Sequence, residues 1–349
     1  MADIVQTPEQ AAAEPLAPLL VLDPVEAVLD AAGLGAGPLE AERLGAGHSN
    51  VTFLIRRGAE RFVLRRPPRP PLPPSAHDVL REARLLAALA GTGVRVPRVL
   101  LAHDDEAALG VPFYVMELLD GVVLDAELPP GLDTPDEHRR IGIELVDALV
   151  ELHAVPPPEG LGRTDGYLER QLRRFSGLWE LTRTRELPLV EEVHRRLEET
   201  LPESPLATIV HGDYRLGNTM YAPGAPARLL AILDWELATV GDPLADVGYL
   251  TATWTEPGVP SPLGVSTVTG RPGFATRAEL VAHYEETSGR RVERLAWYQA
   301  LALWKASIFL EGNYRRFLAG TTDDAYYATL DTGVPALVEA AWELARAAG

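Results

Sequence analysis

Hydrophobic and polar positions change their period along the chain. Val51-Thr-Phe-Leu-Ile55 and Arg61-Phe-Val-Leu-Arg65 read as two strands around Arg57-Gly58-Ala59, and Val99–His103 and Phe113–Leu118 as two more. Between these pairs, Pro67 to Pro74 predicts a stiff exposed loop, and a helix begins at Ser75, where Ser75 and Asp78 have capping-box spacing. Residues 1–23, rich in Ala, Pro, Gln and Glu and without a period, read as a flexible leader. After Gly121 helical periodicity takes over. Thr134-Pro135-Asp136-Glu137 is a start signal, and Ile141, Leu145, Leu149 and Leu152 keep helical spacing to His153. Similar patterns recur at Tyr167–Thr184, Leu189–Thr200, Arg277–Thr287, Glu293–Leu318 and Pro335–Ala348, interrupted by short apolar strands over 207–234. A small strand-rich part, 24–119, thus precedes a larger, mainly helical one, 120–349.

Composition narrows the function classes. The 349 residues are 46% hydrophobic and 23% charged, an ordinary globular balance with core enough for two compact units. The formal net charge of −18 excludes general binding to a nucleic-acid backbone, which needs a basic surface. Absence of cysteine removes disulfides, thiolate zinc sites and thiol nucleophiles. Leu16–Leu22 is apolar but short, holds Pro18 and lacks preceding basic residues, and no run reaches the roughly 18 apolar residues of a membrane span. A soluble cytoplasmic protein without a membrane partner is expected; oligomeric state stays open. Of the 32 basic residues, only Lys305 is lysine.

The chemistry concentrates in Ile209-Val-His211-Gly-Asp213-Tyr-Arg215-Leu-Gly-Asn218. An apolar strand end delivers a carboxylate, and a short loop delivers an amide five residues later. Thr219–Ala222 and Arg228–Leu233 then form a hairpin, which places Asn218 and Asp234 side by side at its open end. An amide oxygen beside a carboxylate suits Mg²⁺, which shares hard oxygen ligands with phosphates. The plain alternative is that Asp213 and Asn218 only hydrogen-bond a loop. In Leu44-Gly45-Ala-Gly47-His48-Ser49-Asn50, backbone N–H groups around Gly47, Ser49 and Asn50 can approach phosphates, although most such turns are simply turns. Glu82 shares a helix face with Val79, Ala83, Leu85 and Leu86, so it points inward and needs a partner. Asp242 and Pro243 read as cap and first residue of another helix. His153 reads as packing or a cap, His103 as part of an exposed polar loop, and Pro257–Gly273 as a lid or slack.

His211-Gly-Asp213-x₄-Asn218 followed by Ile232-Leu-Asp234-Trp235-Glu236 resembles the signature of the aminoglycoside phosphotransferase and choline kinase group, small-molecule relatives of the protein kinases. That resemblance implies an α+β, two-lobed kinase-like fold and transfer of the γ-phosphoryl group of ATP to a small-molecule hydroxyl. Asp213 would orient the acceptor hydroxyl and take its proton, while Asn218 and Asp234 would hold Mg²⁺. The partner of Glu82 would be a phosphate-gripping lysine; this lobe has none, and Arg65 occupies the matching place, with Arg66 as fallback. Backbone near Glu117 and Leu118 would meet the adenine, and Asp246 and His211 would brace the catalytic loop. Acceptor candidates on the helices are Arg174, Trp179, Trp304 and Arg316. The wording Leu64-Arg-Arg-Pro-Pro68, His211-Gly-Asp-Tyr-Arg215 and Gly241-Asp-Pro-Leu-Ala-Asp246 is most similar to the branch found with or fused to acyl-CoA dehydrogenases. That branch points to a hydroxyacyl-CoA or hydroxy acid; the wider group points to an aminoglycoside or amino alcohol. The arginine in place of lysine also leaves room for a non-catalytic nucleotide-binding module.

Overall fold

The structure, a computed structural model, describes residues 3–45, 50–69, 78–204, 206–259, 261–320 and 325–348. The chain divides into two compact units, Met1–Asp120 and Gly121–Gly349.

In the first unit the expected flexible leader is folded. Strand β1 (Ile4–Val5) pairs in parallel with β2 (Leu20–Val21), and between them α1 (Pro8–Ala13) is closed by a Thr7/Gln10 capping box. Helix α2 (Leu22–Ala31) follows. Five strands then form one antiparallel sheet: β3 (Leu39–Leu44), β4 (Val51–Arg57), β5 (Glu60–Arg66), β6 (Val99–His103) and β7 (Phe113–Glu117), in the order β3-β4-β5-β7-β6. Alternation along β4 and β5 sends Phe53, Ile55, Phe62 and Leu64 to one face, where they share a core with Leu19, Leu20, Leu22, Val25 and Leu29. The leader is therefore the sheet's cover. Its order comes from burial, so a search for local period misses it. Arg66 adds a tie by donating to the Leu19 carbonyl, and Asp3 pairs with Arg43 and Arg69. Helix α3 (Val79–Leu89) begins later than the Ser75 start expected from sequence, because Asp78 is its cap and accepts from Arg81 N at 2.9 Å. Ser75 and most of Pro67–Pro74 lie outside the described residues. His103 is a strand residue whose ring meets Phe113 at 4.9 Å, not part of a polar loop.

The second unit opens with β8 (Val122–Val123) and α4 (Pro135–Ala154), capped by Thr134. Next come α5 (Tyr167–Thr182), α6 (Pro188–Glu199), β9 (Thr208–Val210), β10 (Thr219–Tyr221), β11 (Leu229–Ile232) and β12 (Thr239–Gly241). Four helices complete it: α7 (Leu244–Thr253), α8 (Arg277–Ser288), α9 (Leu295–Leu318) and α10 (Leu330–Ala347). Strands β11-β10-β8 form one small sheet and β12-β9 another. The core is built on α9, whose Trp297, Leu301, Trp304 and Ile308 are buried with Phe175 and Trp179 of α5 and Val190 and Val193 of α6.

Helix α10 starts at Leu330, five residues before the expected Pro335. Proline inside a helix cannot donate to the carbonyl four residues earlier. That carbonyl belongs to Asp331, and Arg185 supplies the missing donor through Nη1 at 2.6 Å. The same guanidinium is anchored on buried Glu311 at 2.9 Å. Within Pro257–Gly273, Val268 N donates to the Asp125 carbonyl at 3.2 Å and Ser266 N to Asp125 Oδ1 at 2.8 Å, so that part is tethered and not slack. Among the described residues no helix is long and apolar enough to cross a membrane.

Candidate active site

Strand β9 ends in a loop whose backbone conformation is fixed from several sides. Gly212 adopts φ +86°, and a Cβ there would meet the Leu237 carbonyl oxygen at 3.0 Å, so glycine is required twice over. Fully buried Asp246 accepts from His211 N at 2.7 Å and from Gly212 N at 2.8 Å. His153 Nε2 lies 3.3 Å from the same carboxylate, and its Nδ1 lies 2.8 Å from the Tyr284 hydroxyl. Burial lowers the His153 pKa despite that carboxylate, so the ring is neutral, donating to Asp246 and accepting from Tyr284. His153 is packed, buried edge-on against Tyr284, and also links α8 to the loop. The His211 ring spends both nitrogens: Nε2 on the Leu233 carbonyl at 2.9 Å, and Nδ1 as acceptor for Asp213 N at 3.3 Å. It ties the segment before Asp234 to the backbone of Asp213. Tyr214 and Tyr221 donate to carbonyls of α4, Leu145 at 2.6 Å and Ile141 at 2.8 Å.

Asp213 and Asn218 meet directly. The Asn218 amide nitrogen donates to the Asp213 carbonyl at 2.8 Å and to its Oδ2 at 2.7 Å, which leaves the amide oxygen turned to other partners. Asp213 Oδ1 is buried without a hydrogen bond of ordinary geometry, and Arg215 Nε stands 3.9 Å from it. The Tyr249 phenol is held well above its usual pKa by burial and then by the charge of Asp213. The hairpin registers Thr219 against Ile232, and Leu233 N donates to the Asn218 carbonyl at 2.8 Å, so Asp234 follows immediately at the open end. Asp234 has φ 63°, a left-handed backbone uncommon for a side chain-bearing residue and typical of places where strain is tolerated for a purpose.

Among the described residues no group of three or more His, Asp or Glu side chains is arranged to hold a metal. An amide oxygen and a carboxylate make a partial set of hard ligands, the kind Mg²⁺ completes with phosphate oxygens and water. The donor types of Asn218 and Asp234 suit that ion, and two are too few for the fuller protein shells that zinc and calcium take.

In the first unit, Glu82 is 2% exposed and accepts from Arg65 Nε at 3.1 Å. Asn50 Nδ2 lies 3.5 Å from the same oxygen. Arg66 is occupied elsewhere, donating to Pro67 O and Leu19 O, and burial with Arg69 nearby pulls its pKa down to about 10. Gly47 and Ser49 lie outside the described residues. Glu117 N donates to Arg98 O at 3.0 Å and its carboxylate accepts from Arg98 N at 2.8 Å, so its amide hydrogen is spent inside the unit; Leu118 follows at the strand's end.

The four acceptor candidates separate. Trp179 and Trp304 are 3% and 0% exposed core residues, and Trp304 donates to Val190 O, so neither is a contact surface. Arg174 and Arg316 are exposed on α5 and α9. Sequence reasoning passed over Tyr249 and Lys305; an isolated lysine on an otherwise apolar helix face was the available signal for the second.

An antiparallel sheet unit followed by a mainly helical unit, with a braced His-Gly-Asp loop and a hairpin bearing Asn and Asp at its open end, is the architecture of the kinase-like small-molecule phosphotransferases. The chain belongs to the phosphotransferase enzyme family, whose profile matches residues 40–280. It is 33% identical over 321 residues to mouse acyl-CoA dehydrogenase family member 10, covering 90% of this chain and 30% of that protein. The chain spans about a third of the length of such curated relatives. Among solved structures, a Ralstonia eutropha protein described as a candidate aminoglycoside phosphotransferase superposes with TM-score 0.79 at 30% identity, over 93% of this chain and 98% of that one. An aminoglycoside phosphotransferase APH(4)-Ia variant in complex with ADP and hygromycin B shares the fold, with TM-score 0.57 at 17% identity over 90% and 97% of the two chains.

Proposed function

We propose that this chain is a cytoplasmic, Mg²⁺-ATP-dependent phosphotransferase that moves the γ-phosphoryl group to a hydroxyl of a hydroxyacyl-CoA or hydroxy acid. The observation that carries it is Asp213, with Oδ2 fixed by Asn218 and Oδ1 buried without a hydrogen bond of ordinary geometry, beside Arg215 and Tyr249. A carboxylate held that way is poised to accept a proton from a hydroxyl. Residues 24–119 would serve the nucleotide, with Arg65, set by Glu82, toward its phosphates and the backbone that follows the Glu117 amide, at Leu118, toward its base. Residues 120–349 would serve catalysis and the acceptor. Asn218 and Asp234 would hold Mg²⁺, which supplies neutralisation of phosphate charge when bound.

In the transfer, the acceptor oxygen forms its bond to the γ-phosphorus as the bond from that phosphorus to the β,γ-bridging oxygen breaks. ADP leaves with the bond's electron pair, and the hydroxyl proton passes to Asp213. Little covalent work falls to the protein, so the braced loop contributes chiefly position. The acyl acceptor is supported by the likeness to an acyl-CoA dehydrogenase family protein, and ATP by the ADP-bound relative. An aminoglycoside or amino-alcohol acceptor is the second possibility, favoured by the Ralstonia eutropha neighbour.

The test is transfer of labelled γ-phosphate from Mg²⁺-ATP to a panel of hydroxyacyl-CoAs, hydroxy acids, aminoglycosides and amino alcohols. Transfer abolished in Asp213→Asn is expected. Nucleotide binding at full affinity with no acceptor ever phosphorylated would instead mark a non-catalytic nucleotide-binding module.

A further inference from the structure

The only lysine of the chain sits beside the catalytic loop. Lys305 is on α9, half-buried, and shares a cavity of about 10 Å³ with Gly212, Tyr167, Tyr249 and Tyr298. That space holds about one water. Among the described residues no carboxylate lies within ion-pair distance of its ammonium and no oxygen accepts from it. Its one recorded contact is the Phe175 ring, with Nζ 4.9 Å from the centroid. A desolvated cation without a carboxylate partner costs stability, which an apolar side chain there would not.

The surroundings indicate what it waits for. Phe175 also meets Phe309 edge-on at 5.0 Å, and Phe309 lines a hollow of about 430 Å³ between α5 and α9 with Leu178, Ile308 and Arg316. Lys305, Phe309 and Arg316 thus follow one strip of α9, about 16 Å long at 1.5 Å per residue. Arg174 adds a third cation, 5.9 Å from the Phe175 centroid. On a chain of net charge −18, an apolar hollow flanked by cations is a local reversal of sign. It matches an alkyl chain with an acyl oxygen and opposes a polycationic sugar.

We propose that Lys305 is the acceptor-selecting residue, donating to the acyl oxygen of a hydroxylated substrate whose alkyl chain lies along the α5–α9 hollow. The assignment rests on the phosphotransferase function above and narrows its acceptor to an acyl compound. A free carboxylate and a thioester carbonyl offer the same oxygen, and the experiment separates them. The groups acting on the ammonium are Arg174 on α5, Asp246 on α7 and Asp213 on the loop after β9. Burial, then Arg174, pulls its pKa down to about 8 against the two carboxylates, so it remains a donor at neutral pH.

A lone lysine is its own reporter. The full chain, labelled with ¹³C-lysine, gives one side-chain signal to follow during titration with hydroxydecanoate, hydroxydecanoyl-CoA, ethanolamine and kanamycin. The two acyl compounds are expected to shift the signal, and the carboxylate also to raise the titration midpoint above about 8; the two amines leave it unmoved. Lys305→Met should raise KM for the preferred acyl acceptor roughly 10- to 100-fold. Lys305→Arg should recover most of that loss. A signal that ignores both acyl compounds, or answers the amines instead, overturns the proposal, even if Lys305→Met fails to fold. If no acceptor is phosphorylated while the signal still answers acyl compounds, the phosphotransferase function fails and the acyl site stands.

Discussion

The Arg65–Glu82 pair and the His211-Gly-Asp213 loop hold charge in opposite ways. In the first unit, one carboxylate is kept by a guanidinium on the neighbouring strand and by Asn50. In the second, a neutral histidine, two backbone amides and a second histidine fix the loop before any ligand arrives. On the proposed reading Arg65 has to turn from Glu82 to a phosphate, so its tie runs through side chains that can move. A base that takes a proton in one step has to be in place already, and that requires redundancy.

The difference can be broken at four points, in falling order of effect. Asp213→Asn keeps the Asn218 contact but removes the base, and should lower kcat by about 10²- to 10⁴-fold with KM for ATP little changed, as steady-state kinetics would show. Asp246→Ala strands the buried His211 and Gly212 amides. At about 1–3 kcal/mol for each unsatisfied donor, it should lower the urea midpoint markedly, and activity should fall with it. Arg65→Ala should raise KM for ATP by roughly tenfold, about 1.4 kcal/mol, and leave the urea midpoint less affected than Asp246→Ala does. If instead KM is unchanged, the pair is structural only.

The smallest effect is in pH. The folded-state pKa of His153 lies below its ordinary value of 6.5, chiefly through burial. As pH falls below 6.5, the unfolded chain takes up a proton that the folded one refuses, so stability drops until the folded pKa is reached. His153→Gln should flatten that part of the profile in urea titrations at successive pH values. An unchanged slope would remove His153 from the account.

Much of this was legible locally. Thr134 does cap α4, β4 and β5 do flank Gly58, and the hairpin forms with Asn218 opposite Leu233, one residue before the Asp234 expected beside it. Each depends on residues close in sequence or on a register set by one turn. Other features were invisible for a common reason. His153 meets Asp246 across 93 positions, Arg185 repairs the backbone of α10 across 146, and Trp304 looks amphipathic in isolation but is enclosed by α5, α6 and α10.

Sequence alone settled the chemistry available: which carboxylates and amides exist, at what spacing, and that lysine occurs once and cysteine never. Tertiary structure decided how those groups are spent: that Arg66 is consumed on the leader's backbone while Arg65 pairs with Glu82, and that His211 has no free nitrogen. Side-chain identity fixes what bonds a group can make. Burial and the neighbours that packing supplies decide which of them it does make.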